Sequence, residues 1–177
     1  MNTPLTLIPF PSPFAQTGNL QLTWRWLDDR GLQLDYHVNG FPQLRLPAAG
    51  PAQAADGLWQ HTCCEAFIAS PDTSAYREFN FSPSGAWAVY DFTDYRQARP
   101  FVAEKPPTIT VDRSSDGFLL SANVDRSLLP GNAPFQLGIT CVIELTDNSK
   151  QYWALHHAAP QPDFHQRNSF TLTLAPP

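Results

Sequence analysis

The chain has 177 residues, 42% of them apolar and 15% charged, which describes one folded unit able to bury about 70% of the surface that its unfolded chain exposes. A formal charge of −5 leaves no basic stripe for neutralising phosphates and so excludes nucleic acid as a partner, and no apolar run approaches the length that spans a bilayer. Eighteen prolines, about twice the usual share of roughly 5%, exclude long helices and favour short strands joined by turns.

The first segment, "MNTPLTLIPFPSPF", has no charged region followed by an uninterrupted apolar stretch, and prolines break it repeatedly. Without the pattern of an export signal, the expected location is the cytoplasm. An N-terminal strand with a proline-rich segment over 1–19 is expected to lead into a core over about 20–174, all of it within a single domain, 1–177.

The clearest hairpin is "LQLTWRWLDDRGLQLDYHV". Leu20, Leu22, Trp24 and Trp26 alternate with polar residues, "DDRG" turns the chain, and Leu32, Leu34, Tyr36 and Val38 alternate again. The proline-rich "FPQLRLPAAGPAQAADG" then reads as an ordered surface loop. In the strand expected from Thr62 to Ala69, Cys64, Ala66 and Ile68 share one face, with Cys63, Glu65 and Phe67 on the other. In "YREFNF", Phe79 and Phe81 belong with Cys64 and Ile68 in the core, which sends Glu78 and Asn80 to the same outer, exposed face as Glu65. After the "SPSG" turn, Ala88, Tyr90 and Phe92 are expected inward and Trp87 near the polar face.

"RQARPFVAEKPP" reads as a second loop. "TITVDRSSDGFLLSANV" and "FQLGITCVIELTDNSKQYWAL" repeat the hairpin pattern, with "SSDG" and "TDNS" as turns. "VDRSLLPG" makes one helical turn before Pro130, and "NSFTLTL" is a strand that closes a sheet. Roughly ten strands with very little helix define an all-β, antiparallel β-sandwich. The three cysteines include the neighbours Cys63 and Cys64, which point to opposite faces and cannot easily bridge each other. A bridge from one of them to Cys141 competes with buried free thiols, the favoured reading.

Trp59 followed by Glu65 and Phe67, then "YREFNFSPSGAWAVYDF", the hairpin-rich middle and "PDFHQRNSFTLTL" together resemble the family 9 carbohydrate-binding modules and the related DOMON-like domains, over roughly Leu20 to Leu174. The resemblance implies a β-sandwich whose concave face or sheet edge binds a sugar or a haem. It implies that Trp59 forms one wall of a sugar slot and that Glu65 bonds sugar hydroxyls. Glu78 and Asn80 match the polar pair on the next strand, although the family pattern has a cation where Glu78 stands. The opposite wall falls to Phe164 and His165, where the pattern has tryptophan. Haem-binding members use a methionine and a histidine, and the only methionine here is Met1, which argues against that ligand pair.

The expected function is therefore a non-catalytic module binding a carbohydrate or sugar-like small molecule, with no cofactor. Its candidate site is Trp59, Glu65, Glu78, Asn80, Trp87, Asp163, Phe164 and His165, because sugars pair apolar C–H faces with hydroxyls that need flat rings and fixed oxygens. Glu65 and Glu78 as a hydrolytic acid and base, and Cys63 or Cys64 beside His61 as a thiol nucleophile, are secondary readings. So are a protein partner at a sheet edge or on the aromatic face, a His/His haem site drawn from His37, His61, His156, His157 and His165, and metal capture by His156 or His157 with His165 and Asp163.

Overall fold

A computed structural model describes residues 3–12 and 16–176. Among these, thirteen strands and three single 3-10 turns form two antiparallel sheets packed face to face. The strands are β1 (Leu5–Thr6), β2 (Ile8–Pro9), β3 (Asn19–Trp26), β4 (Leu32–Asn39), β5 (Cys63–Ala69), β6 (Tyr76–Phe81), β7 (Trp87–Asp94), β8 (Gln97–Arg99), β9 (Thr108–Arg113), β10 (Phe118–Val124), β11 (Phe135–Glu144), β12 (Lys150–Ala154) and β13 (Leu172–Leu174). One sheet runs β1-β3-β4-β10-β9; the other runs β2-β12-β11-β5-β6-β7-β8, with β13 also pairing β11. The expected sandwich is present, with more and shorter strands than the ten read from the sequence. Among the described residues, no helix is long and apolar enough to cross a membrane.

The three expected hairpins form with the register that alternation requires. Leu20 faces Val38, Leu22 faces Tyr36 and Trp24 faces Leu34, which puts one apolar row of β3 and β4 against the second sheet. That row meets Cys64, Ala66 and Ile68 of β5, Phe79 and Phe81 of β6, and Leu137, Ile139 and Cys141 of β11, all fully buried. Leu7, between β1 and β2, is buried where the N-terminal strand passes from one sheet edge to the other. Across the core, the Tyr36 hydroxyl donates to the backbone carbonyl of Glu65 at 2.8 Å. The cysteines are free and buried, with Cys64 and Cys141 facing each other across β5 and β11 at 3.8 Å between sulfurs.

Two details of the second sheet differ from expectation. Phe79 pairs with Val89 and Phe81 with Trp87, so Trp87 and Val89 lie on the core side of β7, while Ala88, Tyr90 and Phe92 face away from the first sheet. The inward assignment of Tyr90 and Phe92 is thus reversed, because both rows of β7 are apolar and alternation could not rank them. The chain also does not leave the sheet after Phe92. It turns tightly and adds β8, with Arg96 in the left-handed region (φ 53°) inside a stretch expected to be loop.

Candidate functional site: a two-acid cleft on the outer sheet face

The outer face of the second sheet carries Glu65 and Phe67 from β5, Tyr76, Glu78 and Asn80 from β6, Tyr90 and Phe92 from β7, Thr140 and Val142 from β11, and Tyr152 from β12. Two loops rise over it. The 54–61 loop is pinned along β7 by hydrogen bonds between Trp87 and the backbone of Gln53 and Ala55, and by Tyr90, whose hydroxyl donates to Asp56 Oδ1 at 2.8 Å. Gly57 (φ 69°) then starts the short turn that carries Trp59, which remains 51% exposed. The loop between β12 and β13 brings in Pro162, Phe164 and His165 from the other side, with Phe164 packed on Tyr152 at 6.2 Å between ring centroids. Between the loops lies a cleft of about 1080 Å³, with Trp59, Tyr90, Phe92, Tyr152 and Phe164 on its walls and Glu65, Glu78 and His165 within it.

Glu65, Glu78 and Asn80 do gather on one face, yet that face is not exposed: they are 2%, 5% and 0% accessible. Glu65 faces Asn80 across the strands and Phe67 faces Glu78, so the two acids are diagonal neighbours, about 7 Å apart along the sheet. Each is held by one donor. Thr140 Oγ1 donates to Glu65 Oε2 at 2.9 Å, and Asn80 Nδ2 donates to Glu78 Oε1 at 3.0 Å. Among the described residues, none donates a hydrogen bond to Glu65 Oε1 or Glu78 Oε2.

Burial, together with the charge of Glu78, pushes Glu65 up to about 8 despite the Thr140 bond. Burial likewise raises Glu78 to about 7, against the Asn80 bond and the positive charge of Arg96. Near neutrality Glu65 keeps its proton while Glu78 is about half ionised, so the free oxygens of the pair can both donate to and accept from a ligand.

His165 sits between Phe67 and Phe92, each 5.2 Å away edge to face. The Tyr76 hydroxyl accepts the backbone N–H of Arg96 at 3.1 Å and shares a hydrogen bond with His165 Nδ1, 2.8 Å away. His165 Nε2 lies 3.7 Å from Glu78 Oε2, beyond direct hydrogen-bond length. Burial and the nearby Arg96 charge hold His165 down to about 4, so the ring is neutral.

Asp163 supports the site from outside the cleft. Its Oδ1 accepts Arg96 Nη2 at 3.0 Å and the backbone N–H of His165 at 3.1 Å, and its Oδ2 accepts Tyr95 Oη at 2.7 Å and Gln166 Nε2 at 2.9 Å. Burial alone would raise its pKa, but these bonds bring it down to about 2. Arg167 ties the far end of the same loop to the backbone carbonyls of Ser70 and Thr73 and to Gln136 Oε1, each at 3.2 Å.

Of the residues singled out from the sequence, Trp59, Glu65, Glu78, Phe164 and His165 line the cleft. Asn80 lies beneath Glu78 and orients it, and Asp163 latches the loop. Trp87 belongs to the core-side row of β7, paired with Phe81, and does not reach the cleft. Tyr90, Phe92, Arg96 and Tyr152 were not foreseen. The period-two signal that could have found Tyr90 and Phe92 is their register with Glu78 and Tyr76.

Alternative chemistries find little support in this geometry. Burial pushes the Cys63 and Cys64 thiols well above their ordinary range, and His61 Nδ1 is bonded to Glu144 Oε2 at 2.9 Å. His37 lies on the outer face of the first sheet near Thr23, and His157 bonds the carbonyl of Ile8. Among the described residues, no three His, Cys, Asp or Glu side chains are grouped to hold a metal ion. Met1 lies outside the described residues.

No family model matches the chain, and no curated protein matches it in sequence. Its fold is similar to that of solved structures. A proposed carbohydrate-binding protein from Bacteroides uniformis superposes with a TM-score of 0.68 at 14% identity, over 97% of this chain and 84% of that one. A family 9 carbohydrate-binding module from Caldicellulosiruptor kristjanssonii, solved in complex with glucose, gives 0.64 at 13% identity, over 93% and 78%. At these identities the likeness is one of fold, a distant structural resemblance to the carbohydrate-binding sandwich.

Proposed function

We propose that the chain is a non-catalytic binding module that takes a carbohydrate or sugar-like small molecule into the cleft above Glu65 and Glu78. The observation that carries this reading is the pairing of aromatic walls with two carboxyl groups whose cleft-facing oxygens the protein leaves uncommitted. A pyranose offers a flat C–H face for a ring such as Trp59 or Phe164 and hydroxyls for the acids. The acids' hydrogen bonds to Thr140 and Asn80 fix them before any ligand arrives, which lowers the ordering cost of binding.

Two features favour binding over hydrolysis. Glu65 and Glu78 are diagonal neighbours on one sheet face and approach a ligand from the same side, whereas glycoside cleavage needs carboxyl groups on either side of one bond. His165, beside them on the loop, is neutral and already hydrogen-bonded to Tyr76. The fold shared with a carbohydrate-binding module solved with glucose agrees with this choice.

Titration calorimetry against a panel of mono- and oligosaccharides tests the proposal. Dissociation constants from micromolar to millimolar, about 8 to 4 kcal/mol, are expected, with Trp59→Ala weakening them. Absence of binding across the panel by a folded protein would overturn it.

A further inference from the structure

We infer that the ligand of this cleft carries a primary ammonium group, an amino sugar being the class that fits, seated between Glu65 Oε1 and Glu78 Oε2. The inference deepens the carbohydrate reading of the same site and rests on it.

Among the described residues, no cation is paired directly with either acid. From β5 the neighbouring group is Cys63, from β11 Thr140, from β6 Tyr76 and Asn80, and from β7 Tyr90, which is bonded to Asp56. From the turn after β7 comes Arg96, but its guanidinium is taken by Asp163 and the Tyr95 hydroxyl. From the loop before β13 comes His165, 3.7 Å from Glu78 and neutral. Among the described residues, the cleft is lined by no lysine and by no arginine other than Arg96. A buried carboxylate without a counter-charge is among the costliest groups a protein can hold.

The hydrogen-bond wiring indicates which groups a ligand meets. Thr140 and Asn80 donate to Glu65 Oε2 and Glu78 Oε1, so in the empty site the acid protons sit on the other two oxygens, those left to the cleft. Burial favours keeping those protons. A neutral sugar hydroxyl can bond these acids but brings no charge to offset a buried carboxylate. An ammonium group instead brings three N–H donors and one positive charge, which balances one carboxylate: it displaces one acid proton into solvent and bonds the free oxygens of both the carboxylate and the acid that keeps its proton.

The test uses the intact chain and three 2-amino hexoses, glucosamine, galactosamine and mannosamine, each against its parent hexose and its N-acetyl form. Calorimetry at about pH 6, in two buffers of different ionisation enthalpy, reads affinity and proton exchange together. At least one amino hexose should bind about tenfold or more tighter than both neutral partners, the effect of roughly 1.4 kcal/mol, with net release of protons to buffer. Glu78→Gln, checked for folding by its thermal transition, should bring that preference below about threefold. Neutral hexoses binding as tightly as the amino hexoses, or binding of the amine without proton release, would overturn the inference and leave the carbohydrate proposal standing. Binding of none of the sugars would overturn both.

Discussion

Replacing Glu65 by glutamine keeps the size of the side chain and its capacity to accept from Thr140, while removing an ionisable proton from the interior. Glu65 titrates at about 8 in the folded protein, against an ordinary 4.5. The folded chain therefore holds that proton more tightly than the unfolded chain does, and stability declines as pH rises from about 4.5 towards 8. In the middle of that window the decline is about 1.4 kcal/mol per pH unit for this one group. Glu78, raised to about 7, contributes a decline of the same sign up to that pH. His165, lowered to about 4, acts oppositely between 4 and its ordinary 6.5, because there the unfolded chain binds the extra proton.

Comparing the wild type with E65Q cancels His165 to first order and leaves Glu78 as the one group whose titration the substitution also touches. The advantage of E65Q should grow by about 3 kcal/mol between pH 5 and pH 8, whatever constant offset the amide introduces. Urea unfolding at half-unit pH steps measures it, since the slope with urea should not differ between the two proteins. An advantage that stays flat from pH 5 to 8 would show that Glu65 ionises as freely in the folded chain as in the unfolded one, and would refute the account of the buried acids.

Trp59→Ala removes a half-exposed ring at the cleft rim, so unfolding free energy should stay within about 0.5 kcal/mol of wild type while sugar affinity in calorimetry falls about tenfold or more. Asp163→Ala removes the acceptor of four hydrogen bonds and should lower stability by about 2 kcal/mol; hydrogen exchange at the amides of 163–167 should accelerate far more than in β5 or β11. Gly138→Ala places a Cβ 2.7 Å from Phe170 Cδ1 on the cleft side of β11. The ring must shift, with a cost of about 1–3 kcal/mol in urea unfolding and displaced aromatic resonances for Phe67 and Tyr76, which pack on Phe170.

The sandwich was legible because most strands pair one apolar row with one polar row. In β3 and β4 the rows differ so plainly that the register of Leu20 with Val38 follows from alternation alone. Phe79 and Phe81 were assigned to the core on the same ground, and the gathering of Glu65, Glu78 and Asn80 on one face came with them. Alternation loses its meaning where the sheet has a second apolar environment. The cleft has its own aromatic lining, so in β7 Tyr90 and Phe92 look as buried from the sequence as Val89 does, and hydrophobicity cannot tell the core from the cleft wall. Arg96 escaped notice for a different reason: it occupies a left-handed turn position without being glycine, and the three residues of β8 after it are all exposed.

That second aromatic layer also explains why the acids are buried at all. Phe67, Tyr76, Phe92 and Phe170 form a cluster on the cleft side of the sheet, covered by a loop that Asp163 anchors at one end and Arg167 at the other. Sheet residues beneath such a cover lose water whatever their type, so Glu65 and Glu78 are desolvated by the same packing that shapes the cleft. Their strands cannot move to relieve this, because β5 and β6 are also the strands that place Cys64, Ile68, Phe79 and Phe81 in the main core. The rigidity that makes the acids expensive thereby keeps them in position for a ligand. A substitution that stabilises the chain at Glu65 should consequently weaken recognition, the two effects arising from one carboxyl group.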